Sequence, residues 1–118
     1  MFQAYRLDAI PRATGGKMTN TTPTLRIYIS GSITRDPDYR AHFARAEEKL
    51  RRQRLHVFNP AKNDPDPDKT WTDYMKYDIR QLLDCSAIYL LKGWRKSKGA
   101  RLEYRIAKAL DLVIMHER

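Results

Sequence analysis

The sequence predicts an α/β protein of Rossmann-like (flavodoxin-like) architecture. The expected form is a three-layer sandwich, with a four-stranded parallel sheet of order 2-1-3-4 and helices on both faces. Three observations carry this. From Leu25 onward, short β-rich runs alternate with amphipathic helical segments. The run SAIYLL (86–91) is apolar throughout, as a strand buried on both faces should be. A helix separates each strand from the next, and right-handed crossovers then make the strands parallel.

The elements follow in order. LRIYIS (25–30) is a β-rich run that ends at Gly31. Asp36 or Asp38 can cap a helix to about Arg52, whose inner face is Tyr39, Phe43, Ala46 and Leu50. LHVFN (55–59) is the second strand and Pro60 stops it. NDPDPDK (63–69) is a loop, because its prolines forbid a helix. Thr70 caps a helix to about Leu83, with Trp71, Tyr74, Met75 and Leu82 facing in. After SAIYLL comes a basic loop, KGWRKSKG (92–99). A helix over 99–110 and the strand LVIMH (112–116) close the pattern. Residues 1–24 show no sustained period and read as a flexible tail, leaving 25–118 as the domain.

Composition narrows the class. The chain has 118 residues, 42% hydrophobic and 31% charged, which excludes a fully disordered chain, a collagen or a coiled-coil rod. No run approaches the roughly 18 apolar residues of a membrane span. The first thirty residues contain no continuous apolar stretch of the signal-peptide kind. Cys85 is alone, so no internal disulfide or cysteine metal site is expected. Together these point to a cytoplasmic location, no membrane partner, and no metal or cofactor. The net charge of +9 attracts anions without saying which. Arg51, Arg52 and Arg54 read as the solvated end of a helix. Lys92, Arg95, Lys96, Lys98, Arg101 and Arg105 cluster around the last loop.

Two carboxylates stand on the wrong faces of their helices. On the last helix, Leu102, Ile106 and Leu110 mark the apolar side, with Gly99 and Ala107 alongside; Arg101, Tyr104, Arg105 and Lys108 lie opposite. Glu103 falls inside the apolar sector, between Gly99 and Ala107 one turn either way. On the preceding helix, Asp78 points the same way as Trp71, Tyr74 and Leu82. A buried carboxylate needs a partner, a proton or a purpose. Two of them, on helices flanking the third strand, predict a shared cleft in which repulsion raises one or both pKa values. In a sheet of order 2-1-3-4 the ligand crevice lies beyond the carboxyl ends of strands 1 and 3. The loops there are 31–35, 59–69 and 92–98. Ser30-Gly31-Ser32 follows strand 1, and Ser97-Lys98-Gly99 precedes the last helix, where backbone amides can receive a phosphate.

These residues resemble a known family. Ser97 to Ala107 is similar to the Ser-x-Gly-x-x-x-Glu-x-x-x-Ala signature of the nucleoside 2-deoxyribosyltransferase superfamily. The nearest branch is the 2'-deoxynucleoside 5'-phosphate N-hydrolases, together with small uncharacterised phage and bacterial relatives. Tyr28-Ile29-Ser30-Gly31-Ser32-Ile33 resembles the family's first-strand loop, and Tyr77-Asp78-Ile79 its helical aspartate. The likeness spans 25–116.

The resemblance implies roles. Glu103 would attack the anomeric carbon of a (deoxy)ribose to form a covalent glycosyl ester. Water as acceptor makes a hydrolase, a second base a transferase. Asp78 would orient Glu103 or the sugar, or help protonate the departing base. Tyr28, Ser30, Gly31, Ser32, Ile33, Trp71, Ser97 and Gly99 would bind substrate. Tyr28, Trp71, Tyr74 and Trp94 are the candidates to stack on the base, and Lys98 and Arg101 those to attract a 5'-phosphate. Ser97 stands where the transferases carry Asp, which favours a nucleoside monophosphate; Thr34 stands where the hydrolases carry Arg. The family usually assembles as dimers or more, which implies a homodimer or higher homo-oligomer. Two other classes compete: a catalytically silent nucleotide-binding or sensing module on the same fold, and a nucleic-acid binder. The carboxylates beside the basic loop would repel a phosphate backbone and argue against the last.

Overall fold

The structure, a computed structural model, describes residues 25–118. The tail expected over 1–24 lies outside the described residues. Four strands alternate with three helices: β1 (Arg26–Ser30), α1 (Tyr39–Arg52), β2 (His56–Phe58), α2 (Trp71–Leu83), β3 (Ala87–Leu90), α3 (Lys98–Ala109) and β4 (Val113–His116). Short 3-10 turns, Pro60–Lys62 and Trp94–Lys96, follow β2 and β3. The sheet is parallel throughout, in the order β2-β1-β3-β4. The expected architecture therefore holds, with boundaries moved by a residue or so.

Strand alternation divides the core. Ile27 and Ile29 of β1, with Ala87 and Tyr89 of β3, face α1 and meet Phe43, Ala46 and Leu50. Tyr28 of β1, with Ile88 and Leu90, faces the opposite layer of Leu82, Ala100 and Ala107. All four residues of β3 are buried, as its unbroken apolar run predicts.

Local chemistry sets the helix ends. Asp36 Oδ1 accepts from the Asp38 N–H at 2.9 Å and turns the chain into α1, while Asp38 takes the N-cap position without a side-chain bond. Thr70 begins α2 with a reciprocal cap: its hydroxyl accepts from the Asp73 N–H, and the Asp73 carboxylate accepts from the Thr70 N–H. Ser97 caps α3 by accepting from the Ala100 N–H at 3.1 Å. α1 and α3 both stop on a left-handed residue, Arg54 (φ 64°) and Asp111 (φ 60°). The N–H two residues past each C-cap then returns to the last turn, Leu55 to Leu50 and Leu112 to Ala107.

Two helix faces depart from expectation. On α3 the buried residues are Ala100, Glu103 and Ala107; Leu102 and Ile106 are half-buried and Leu110 is exposed. Small residues one turn either side of Glu103 let the helix backbone come close to the sheet, and the larger side chains are pushed to the flanks. Tyr104, expected outside, packs on Trp94 with ring centroids 4.8 Å apart. On α2, Met75, Asp78 and Leu82 are buried, but Trp71 is 42% exposed. It occupies the first position of the helix and lines the cavity described below. No helix among the described residues is long and apolar enough to cross a membrane.

Candidate functional site

A cavity of about 310 Å³ opens at the carboxyl ends of β1 and β3, within the usual size of small-molecule sites. β1 turns toward α1 and β3 toward α3 here, so the two loops diverge and leave a crevice. Both anomalous carboxylates, Glu103 and Asp78, line it.

Glu103 is reached through the strand alternation. Tyr28 and Ser30 lie two apart on β1, so both side chains point to the α2–α3 layer. The Tyr28 hydroxyl donates to Glu103 Oε2 at 2.6 Å, and the Ser30 hydroxyl donates to Oε1 at 2.7 Å. Each carboxylate oxygen is thereby fixed. Burial pushes Glu103 up to about 7, against the pull of these two bonds, and the charge on Asp78 adds to the rise. Burial and the two neighbouring carboxylates also raise the Tyr28 phenol well above its ordinary value, so it stays a donor.

Asp78 is the second member. Asn63 Nδ2 donates to its Oδ1 at 3.3 Å. Burial raises Asp78 to about 6, opposed by that bond. Carboxylates at about 6 and about 7 in one cavity hold one proton between them near neutrality. That arrangement can supply a nucleophile and an acid at once.

The walls come from the loops at the carboxyl end of the sheet and from the helices that follow them. Ile33, Thr34, Tyr39 and Phe43 form one side, Pro60, Ala61, Asn63 and Pro65 another, and Trp71, Tyr74 and Met75 a third. The Tyr74 hydroxyl accepts from the Asp66 N–H at 2.6 Å and donates to the Asp66 carbonyl at 3.1 Å, pinning the 63–69 loop to α2. Gly31 is required by close approach: a Cβ there would stand 2.9 Å from Leu91 Cδ1. Gly99 is tight rather than obligatory: its Cβ would stand 3.0 Å from Met75 Sδ, and the thioether would have to shift.

Of the residues expected at the site, Glu103, Asp78, Tyr28, Gly31, Ile33, Trp71, Ser97 and Gly99 line the cavity. Ser30 is fully buried behind it and bonds Glu103 instead. Ser32 does not line it; its hydroxyl is buried without a hydrogen-bond partner. Tyr28 departs from its stacking role: its ring is buried and stacks on Phe58 at 5.5 Å, leaving only the hydroxyl for the site. Trp94 is buried against Tyr104 and does not line the cavity. Arg101 does not line it either, and donates to the Arg95 carbonyl at 2.8 Å. Asn63 was not foreseen, since the prolines around it mark a turn and nothing more. Its position in the loop after β2, at the carboxyl edge of the sheet, is the signal that could have found it.

Fold and site together define a parallel α/β protein with a carboxylate pair in a crevice at its topological switch point. The chain belongs to the family described as Domain of unknown function (DUF4406), whose model matches residues 25–116. No curated protein matches the chain.

Proposed function

We propose that the protein is an N-glycosidase or deoxyribosyltransferase that cleaves the N-glycosidic bond of a nucleoside 5'-monophosphate or nucleoside. The observation that carries this reading is Glu103: a buried carboxylate at a cavity wall, held by two hydroxyls and paired with a second carboxylate. The resemblance of its helix to the deoxyribosyltransferase signature adds the sugar chemistry.

Glu103 is the more basic of the pair and holds the shared proton at rest. In this mechanism that proton passes to Asp78, and ionised Glu103 attacks the anomeric carbon. The carbon–nitrogen bond breaks and its electron pair leaves with the base, which takes a proton from Asp78. Tyr28 and Ser30 hold the attacking carboxylate in one orientation. Water, deprotonated by Asp78, then opens the glycosyl ester, frees Glu103 and returns the proton; a second base in place of water gives transfer. No metal or cofactor is needed for these steps. The reading includes a homodimer in the cytoplasm.

The test is incubation with a panel of nucleosides and 5'-monophosphates, with released base measured by chromatography. The wild type should release base and Glu103→Ala should release none. The rate should peak between about pH 6 and 7, where Asp78 and Glu103 together hold one proton. No release from any member by a folded protein would replace this reading with a silent nucleotide-binding module on the same fold.

A further inference from the structure

The cavity carries one feature that the carboxylate chemistry does not use. Trp71 opens α2 and Lys98 opens α3, and both line the cavity. Lys98 Nζ lies 4.1 Å from the centroid of the Trp71 ring. Among the described residues, this is the only cation–ring pair with both members on the cavity. Among the described residues, Lys98 is also the only basic one lining it. Neither side chain serves the core, since both are exposed. The helix starts beneath them pack closely. At Gly99 a Cβ would stand 3.0 Å from Met75 Sδ and 3.9 Å from Trp71 Nε1, so α2 and α3 touch there with no gap. The two exposed side chains thus meet where the starts of α2 and α3 pack closely.

Each of them satisfies the other in a way that a ligand can take over. A lysine on an aromatic face is weakly held where water reaches it. An anion offers the ammonium a charge-assisted hydrogen bond, which is stronger. A planar ring offers the indole a stacking partner. The carboxylates, one held by β1 and the other by the β2 loop, disfavour an anion beside them, and among the described residues Lys98 is the one cationic side chain on the cavity. We propose that Lys98 and Trp71 form an entrance clasp that selects ligands carrying both an anionic group and a planar ring. The anion draws Lys98 off the indole, and the ring takes the vacated face. This deepens the reading of the cavity as a nucleotide site and rests on it.

The test uses tryptophan fluorescence of the full chain on rapid mixing with adenosine 5'-monophosphate, adenosine or inorganic phosphate. Trp94 is buried against Tyr104, so the response should be Trp71's and should vanish in Trp71→Phe. The monophosphate should bind at least about tenfold tighter than adenosine, and phosphate alone should change the emission by removing Lys98. Lys98→Gln should bring the monophosphate to within about twofold of adenosine. Equal binding of the two ligands, a preference that survives Lys98→Gln, or no response to either would overturn the clasp. Base release with no Trp71 response would sink the clasp and leave the glycosidase standing. A Trp71 response without base release would do the reverse.

Discussion

Glu103 shows how much one side chain depends on its surroundings. The same residue on an exposed helix face would titrate as an ordinary carboxylate. Here burial raises it to about 7 while Tyr28 and Ser30 hold both oxygens. The stability consequence has a definite sign. The folded protein keeps a proton that the unfolded chain loses near 4.5, so stability falls as pH climbs from about 4.5 to about 7. Glu103→Gln cannot titrate and keeps a similar shape. It should therefore gain roughly 2–3 kcal/mol on the wild type between pH 5 and pH 8. Urea unfolding at pH 5 and pH 8 checks this; parallel wild-type and variant curves would show that the burial cost is absorbed elsewhere. Trp71 carries the opposite lesson at the same scale. Its helical spacing placed it inside, but its ring is exposed and lines the cavity.

At the scale of elements, the close approach of α3 decides the site. Ala100 and Ala107 bring the helix against the sheet, and Glu103, between them, reaches β1 rather than the nearer strands. On the other face α1 hides a third buried carboxylate with a different purpose. Glu47 accepts from Asn59 Nδ2 at 3.0 Å, Arg51 Nε at 2.7 Å and Lys62 Nζ at 3.1 Å. These donors hold its carboxyl below the ordinary glutamate range, with burial opposing them. It binds α1 to the turn after β2, which forms a wall of the cavity. Glu47→Ala leaves Asn59 short of a partner and should destabilise the fold by about 1–3 kcal/mol. Chemical denaturation measures the loss, and a change below about 0.5 kcal/mol would mean that water replaces the carboxylate without cost. Anomalous burial alone therefore does not separate a structural carboxylate from a chemical one. The donors do, because Glu47 is neutralised by cations and Glu103 only by hydroxyls.

At the scale of the whole molecule, the order β2-β1-β3-β4 splits the loops after β1 and β3 and creates the crevice. The fold also leaves apolar surface uncovered. Tyr77, Leu83, Leu110 and Val113 are each more than two-fifths exposed. Burying these side chains against a second copy is the homodimer of the proposed function. Sedimentation equilibrium should give twice the 13.9 kDa chain mass, and Leu83→Glu with Leu110→Glu should return it to one. A wild type that sediments as a single chain at all concentrations would remove the dimer.

By itself the sequence determined the layers and the two carboxylates. Each is written in local periodicity: alternating strands and helices, an unbroken apolar β3, and Asp78 and Glu103 out of phase with their helices. Such patterns follow from backbone geometry alone, which is why they are legible without coordinates. Only the tertiary structure decided which partners those carboxylates take. Tyr28 and Ser30 are 75 and 73 residues from Glu103, and no spacing rule reaches across that separation. It also decided that Trp94 belongs to the core and Trp71 to the rim, and that Asn63 belongs to the site. Those outcomes depend on how closely α3 and α2 approach the sheet. That distance is set by the sizes of side chains from several elements at once, Ala100, Ala107, Gly99 and Met75 among them.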